Sequence, residues 1–218
     1  KSASSKHFKG AKYKLFHCDS RLTKKGKEME YSQIKNKIIK IPNDIYVKLI
    51  EHCNRKLSGL FLPNETEEKK AYGILGGRNN NNELLITELK PLFKNMRETG
   101  EYKLYMDDTM VEYAHPSSVT PLDKRGWITD PTELFFILKE FNKNKIEFMG
   151  SYHMHKVQWK NNDMRDTPTR VDEILGKDSR TLMFIISMVV PNKPIIRAFY
   201  EGDINKEIDV IIETIGEK

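Results

Sequence analysis

The chain has 218 residues, enough for one large domain with an extension, and a 38% hydrophobic content that supplies a genuine core. Its net charge of +6 is uneven: residues 1–40 carry twelve Lys/Arg and three acids, or +9, and the remainder is −3. No run approaches the roughly 18 apolar residues of a membrane span, and no apolar signal-peptide segment is visible, so neither a membrane partner nor export is expected.

Cys18 and Cys53 are too few for a disulfide framework, which fits a reducing, cytoplasmic (intracellular) location. Each follows a histidine (His17, His52), but without CxxC spacing ordinary packing is the better reading than a second metal site. The basic segment 1–40 reads first as a solvated extension. A nucleic-acid partner for it rests on charge alone, because Phe8, Tyr13, Phe16 and Tyr31 form no recognisable stacking motif.

Residues 1–9 are Lys, Ser and Ala without periodicity and predict no structure. Residues 32–41 contain an alternating segment consistent with a strand. Pro42-Asn43-Asp44 then opens a helix whose apolar face is Tyr46, Leu49, Ile50, Cys53 and Leu57. Ser58-Gly59 ends it, and a polar insertion around Pro63 to Thr66 follows. Ala71 to Gly77 predicts a buried strand, Asn79 to Asn82 a turn, and Glu83 to Leu89 a second strand. The Gly76-Gly77 pair lacks the lysine and the spacing of a phosphate-binding loop. Residues 92–127 are mixed, with strand-like Lys103 to Met106 and a loop rich in Pro and Ser.

Asp130-Pro131-Thr132-Glu133 predicts a capped helix start, with Leu134, Ile137, Leu138 and Phe141 as the buried stripe. Ile146 to Tyr152 is a strand that delivers His153 and His155. A helix opens at Pro168-Thr169, strands follow at Leu182–Val190 and Ile195–Tyr200, and Ile208–Ile215 reads as either strand or helix, with strand favoured. Helices interleaved among mostly sequential strands predict an α/β class, with α+β as the alternative, and a single mixed sheet flanked by helices. The expected division is a basic extension over 1–40 and one domain over 41–218.

The chemistry concentrates in Gly150-Ser-Tyr-His-Met-His155 and Pro168-Thr-Arg-Val-Asp172. Residues i and i+2 of a strand share a face, so both imidazoles point the same way. Thr169 is placed to cap the following helix, and the helix dipole favours a carboxylate at Asp172 in the first turn. Two imidazoles and a carboxylate with an open fourth position are what a catalytic zinc requires.

These features together resemble the JAMM (Jab1/MPN/Mov34) metalloprotease domain. The likeness covers about residues 41–200: the helix of residues 43–57, Gly73-Ile-Leu-Gly-Gly77, the capped helix from Asp130-Pro131, Gly150 to His155, and Pro168 to Asp172. The resemblance implies zinc held by His153, His155 and Asp172 with water as fourth ligand. It also implies hydrolysis of a peptide or isopeptide bond, often at the C-terminus of a ubiquitin-like protein. Thr169 stands where the family uses a serine to stabilise the developing oxyanion.

Three positions depart from the pattern. Lys156 stands where proline usually follows the second histidine, and the segment from His155 to Asp172 is about six residues longer than usual. The family glutamate, three residues before the first glycine, is replaced by Lys70, which cannot accept a proton while charged. Glu68 would share the strand face of position 70 and is the candidate base if a bulge brings it inward, whereas Glu67 would face away. A non-catalytic scaffold of the same fold is the alternative. Trp159 reads equally as a residue over the site or at an interface, and His115 is given no role.

Overall fold

The computed structural model describes residues 29–213. In chain order its elements are α1 (Tyr31–Ile34), β1 (Ile38–Pro42), α2 (Asn43–Leu57), β2 (Tyr72–Asn79), β3 (Glu83–Pro91), α3 (Gly100–Tyr113) and a 3₁₀ turn (Leu122–Lys124). There follow α4 (Pro131–Lys143), β4 (Glu147–His155), α5 (Arg170–Gly176), β5 (Leu182–Ser187), β6 (Ile195–Tyr200), β7 (Glu207–Ile208) and β8 (Val210–Glu213). The eight strands form one sheet in the order β7-β6-β5-β4-β2-β3-β1-β8. It is mixed: β4–β5, β1–β3 and β1–β8 are parallel, and the remaining pairs are antiparallel. Only Asp209 separates β7 from β8, yet these strands end opposite edges of the sheet. The sheet therefore curls until its edges nearly meet, as a barrel does.

Alternation along β2 and β4 sorts the side chains between two packing layers. Leu75, Tyr152 and Met154 enter the main core with Ile45, Leu49 and Cys53 of α2. Tyr72, Ile74 and Phe148 point the other way and meet Ile137 and Phe141 of α4. His153 and His155 are out of step with Tyr152 and Met154, so they emerge on the face opposite α2. Above that face α3 and α5 pack together through Met106, Met110, Val171 and Leu175. Gly150 pairs with Leu182 beside an irregularity in the β2–β4 register. A Cβ there would strike the Leu182 carbonyl, so only glycine lets β4 lie against β5 at this point.

Two expectations need correction. Residues 29–40 belong to the domain: Met29 and Ile34 are buried in the main core, and the Tyr200 hydroxyl donates to the Met29 carbonyl at 2.9 Å. The alternating segment within 32–41 is β1, which starts at Ile38, and α1 precedes it. Nine of the twelve basic residues of segment 1–40, together with Cys18, lie outside the described residues. Second, Lys103 to Met106 is helical. The buried or half-buried positions Tyr102, Met106, Thr109, Met110 and Tyr113 recur at helical spacing, but Leu104 and Val111 are 67% and 76% exposed. Apolar residues on both sides of α3 conceal its period. No helix among the described residues is long and apolar enough to cross a membrane.

The polar insertion after α2 is tied down by Glu65, whose side chain is fully buried. Arg55 binds it bidentately at 2.6 and 2.9 Å, Lys56 Nζ lies 3.2 Å away, and the Leu62 N–H donates at 2.9 Å. Beside this cluster His52 Nδ1 meets the Tyr152 hydroxyl at 2.8 Å, while Cys53 is buried with its thiol pushed up to about 12 by that burial. Burial, helped by the nearby Arg55 charge, holds the His52 imidazole at about 4. An unfolded histidine binds its proton near 6.5, so acid favours the unfolded chain. His52 is thus expected to cost up to about 3 kcal/mol of stability as pH falls from 6.5 to 4. Denaturant unfolding at several pH values should show that loss reduced in His52→Gln. An identical pH dependence in the two proteins would refute the assignment.

Candidate metal centre

β4 carries His153 and His155 to its C-terminal end, and α5 brings Asp172 up to them. The α5 cap sets that approach. Thr169 Oγ1 accepts the Asp172 N–H at 3.3 Å, and Asp172 Oδ2 accepts the Thr169 N–H at 2.7 Å, which closes a capping box. The Thr169 hydroxyl also donates to Asp172 Oδ2 at 2.7 Å. Its single proton is therefore committed to orienting the carboxylate.

The three side chains are buried and converge. The Nε2 atoms of His153 and His155 are 3.0 Å apart, His153 Nε2 is 3.3 Å from Asp172 Oδ1, and His155 Nε2 is 3.6 Å from Oδ2. A tetrahedral zinc with bonds of about 2.0–2.1 Å spaces its ligand atoms about 3.3–3.4 Å apart. The observed edges bracket that value. Among the described residues this is the one group of three His, Cys, Asp or Glu side chains placed to share a metal ion.

The tautomer of His155 is also suited to ligation. Its Nδ1 lies 2.8 Å from the Arg165 carbonyl, an oxygen that can only accept, so Nδ1 carries the proton and Nε2 keeps a lone pair. Burial holds this imidazole at about 4, against the pull of Asp172. For Asp172 burial acts upward, but the two histidines outweigh it and keep the carboxyl well below the usual range. The Tyr72 ring stacks on His153 at 5.1 Å and on Trp127 at 4.8 Å, which fixes the plane of the imidazole.

The long segment between His155 and Asp172 folds over the site. Trp159 lies between the His115 ring at 4.5 Å and the Arg165 guanidinium at 3.6 Å. Arg165, at φ +49°, turns the backbone so that its carbonyl reaches His155. Lys156 Nζ donates to the Lys69 carbonyl at 2.6 Å and ties the end of β4 to the segment before β2. Sequence reasoning missed Arg165, Tyr72 and His115, and none of the three sits in a motif.

Glu68 and Lys70 precede β2 and do not form part of a bulged strand. Both line the cavity that contains the three metal-type side chains, a space of about 350 Å³. Glu68 Oε2 accepts from Asn95 Nδ2 at 2.8 Å and lies 3.1 Å from Lys70 Nζ, which also donates to the Gly126 carbonyl at 3.0 Å. Among the described residues Glu68 Oε1 has no hydrogen-bond partner. Burial pulls the Lys70 ammonium below its ordinary value, and the Glu68 carboxylate opposes that shift.

No family model matches the chain, and no curated protein matches it. Among solved structures it is similar to the solution structure of protein DSY2949 from Desulfitobacterium hafniense, a Northeast Structural Genomics Consortium target. The TM-score is 0.52 at 20% identity, over 82% of this chain and 95% of that one. At that identity the likeness extends to the fold alone.

Proposed function

We propose that this chain is a zinc-dependent hydrolase of the JAMM type that cleaves a peptide or isopeptide bond. The expected substrate is a protein or peptide, with a ubiquitin-like C-terminus as the class its sequence resemblance suggests. One observation carries the reading: two imidazoles and a carboxylate at near-tetrahedral spacing open onto a cavity that holds a further carboxylate. His153, His155 and Asp172 would hold the ion. When bound, zinc polarises a carbonyl oxygen and lowers the pKa of water to about 7.

The protein's own groups divide the remaining work. Glu68 takes a proton from the attacking water at its unpaired Oε1 and returns it to the leaving nitrogen. The Arg165 carbonyl fixes the His155 tautomer, and Tyr72 holds the plane of His153. Thr169 acts as a positioning residue, because its proton is donated to Asp172 rather than to an oxyanion. Thr169→Ala is expected to cost about 1 kcal/mol through the lost cap and to weaken zinc about 10-fold or more, with Thr169→Ser restoring both. Denaturant melts and competitive zinc titration would measure this. Unchanged zinc affinity in Thr169→Ala would leave a cap alone.

Lys70, paired on Glu68, favours the second reading, a non-catalytic scaffold with a retained metal site. An isopeptide-linked ubiquitin-like substrate and a panel of unstructured peptides separate the two readings. The hydrolase reading expects cleavage that a chelator abolishes and stoichiometric zinc restores. No cleavage of any substrate by zinc-loaded protein would leave the scaffold.

A further inference from the structure

Six basic side chains line the cavity, Lys69, Lys70, Lys124, Arg125, Lys156 and Arg165, against two acids, Glu68 and Asp172. The acids are already engaged, Glu68 by Lys70 and Asn95 and Asp172 by Thr169 and the histidines. Several of the cations are engaged too. Arg125 donates to the carbonyls of Thr120, His115 and Ser118, and so braces its own loop. Lys70 and Lys156 each donate to a backbone carbonyl.

Arg165 differs from these. It is only 8% exposed, and its guanidinium Nε donates to the Val157 carbonyl at 3.1 Å. Nη1 is sealed from solvent without a partner. Trp159 supports the flat face of the guanidinium at 3.6 Å, with His115 stacked behind the indole. A guanidinium fixed in plane with a terminal nitrogen unfilled matches an oxygen of a carboxylate or phosphate. Burying it without an acceptor is unfavourable, and an anion in the cavity would offset that penalty.

We infer that Arg165, held flat against Trp159 with its buried Nη1 unpaired, is the receptor for an oxyanion carried by the substrate, a carboxylate or a phosphate. A carboxylate would come from an acidic side chain or a chain end near the scissile bond, a phosphate from a phosphorylated residue. The role in substrate choice rests on the hydrolase reading, whereas the anion site stands without it.

The test uses the full chain, zinc-free and zinc-loaded, titrated with acetate and separately with inorganic phosphate against chloride at matched ionic strength. Nitrogen–proton correlation spectra follow the Arg165 Nε–H and Trp159 Nε1–H signals and report the fold of each variant. Saturable shifts are expected in the zinc-free wild type, which excludes anion capture by zinc, and the tighter of the two anions identifies the source. Arg165→Lys keeps the charge but loses the fork and should bind at least about tenfold more weakly; Arg165→Gln should not saturate. Absence of a saturable shift in the wild type, or undiminished binding in Arg165→Gln, would overturn the inference. Should Arg165→Gln not fold, undiminished binding in Arg165→Lys does so instead. Anion binding by a protein that cleaves nothing would retire the hydrolase reading and leave this one standing.

Discussion

The double variant His153→Ala/His155→Ala is expected to retain no zinc, where the wild type carries one ion per chain. Three buried donors with edges of 3.0, 3.3 and 3.6 Å form one face of a tetrahedron, and removing two of them leaves a single carboxylate. The loss should also appear in stability. Zinc at a thousand times its dissociation constant stabilises the folded state by about 4 kcal/mol. In a domain of this size that corresponds to a rise of about 10 °C in melting temperature, absent from the variant.

The metal-free proteins should differ as well, because the Asp172 side chain is 12% exposed and lies against both imidazoles. Removing the imidazoles takes away the hydrogen bond that His153 Nε2 can donate and leaves that charge buried with Thr169 as its partner, which costs about 1–3 kcal/mol. Asp172→Asn provides the contrast: an amide oxygen still accepts from Thr169, so the cap survives while zinc binding fails. Elemental analysis of protein purified without chelator, with thermal melts at graded zinc, reads all three. No zinc in the wild type, or full zinc in the double variant, would sink the metal assignment.

Local signals made the candidate ligands legible. A cap at Thr169 followed by Asp172 at the third helical position is a short-range pattern, and the Asp130-Pro131 start of α4 is another; both are written within four residues. The α2 face was equally plain, since its apolar residues keep one period against the main core. Two kinds of feature were not legible. Helix α3 carries Leu104 and Val111 on its solvent side, so its pattern matched no single period until the partners of Met106 and Met110 were seen. The surroundings of the ligands depend on long-range closure: Arg165 acquires its place by turning back to His155 and stacking on Trp159. Glu68 was expected on a strand face, but backbone bonds from Glu68 N–H to the Thr66 carbonyl and from Lys70 N–H to the Glu68 carbonyl tighten the segment into turns instead. What brings Glu68 to the cavity wall is its bond to Asn95, a residue distant in sequence.

Glu68→Gln is expected to leave zinc bound and to lower hydrolysis at least about 100-fold, the lower range of what a positioned general base contributes. The substitution keeps the size of the side chain and an oxygen facing Asn95 and Lys70, so the wall of the cavity is preserved. It removes only the capacity to take a proton, because an amide oxygen is far too weak a base at neutral pH. Lys70 cannot fill that role while its ammonium is paired with Glu68 at 3.1 Å and bonded to the Gly126 carbonyl at 3.0 Å. Parallel measurements of zinc content and cleavage rate separate the outcomes. Full activity in Glu68→Gln would place the base elsewhere. An inactive parent in which Lys70→Glu created activity would show that the lysine at position 70 had silenced the site, and the scaffold reading would then replace the hydrolase one.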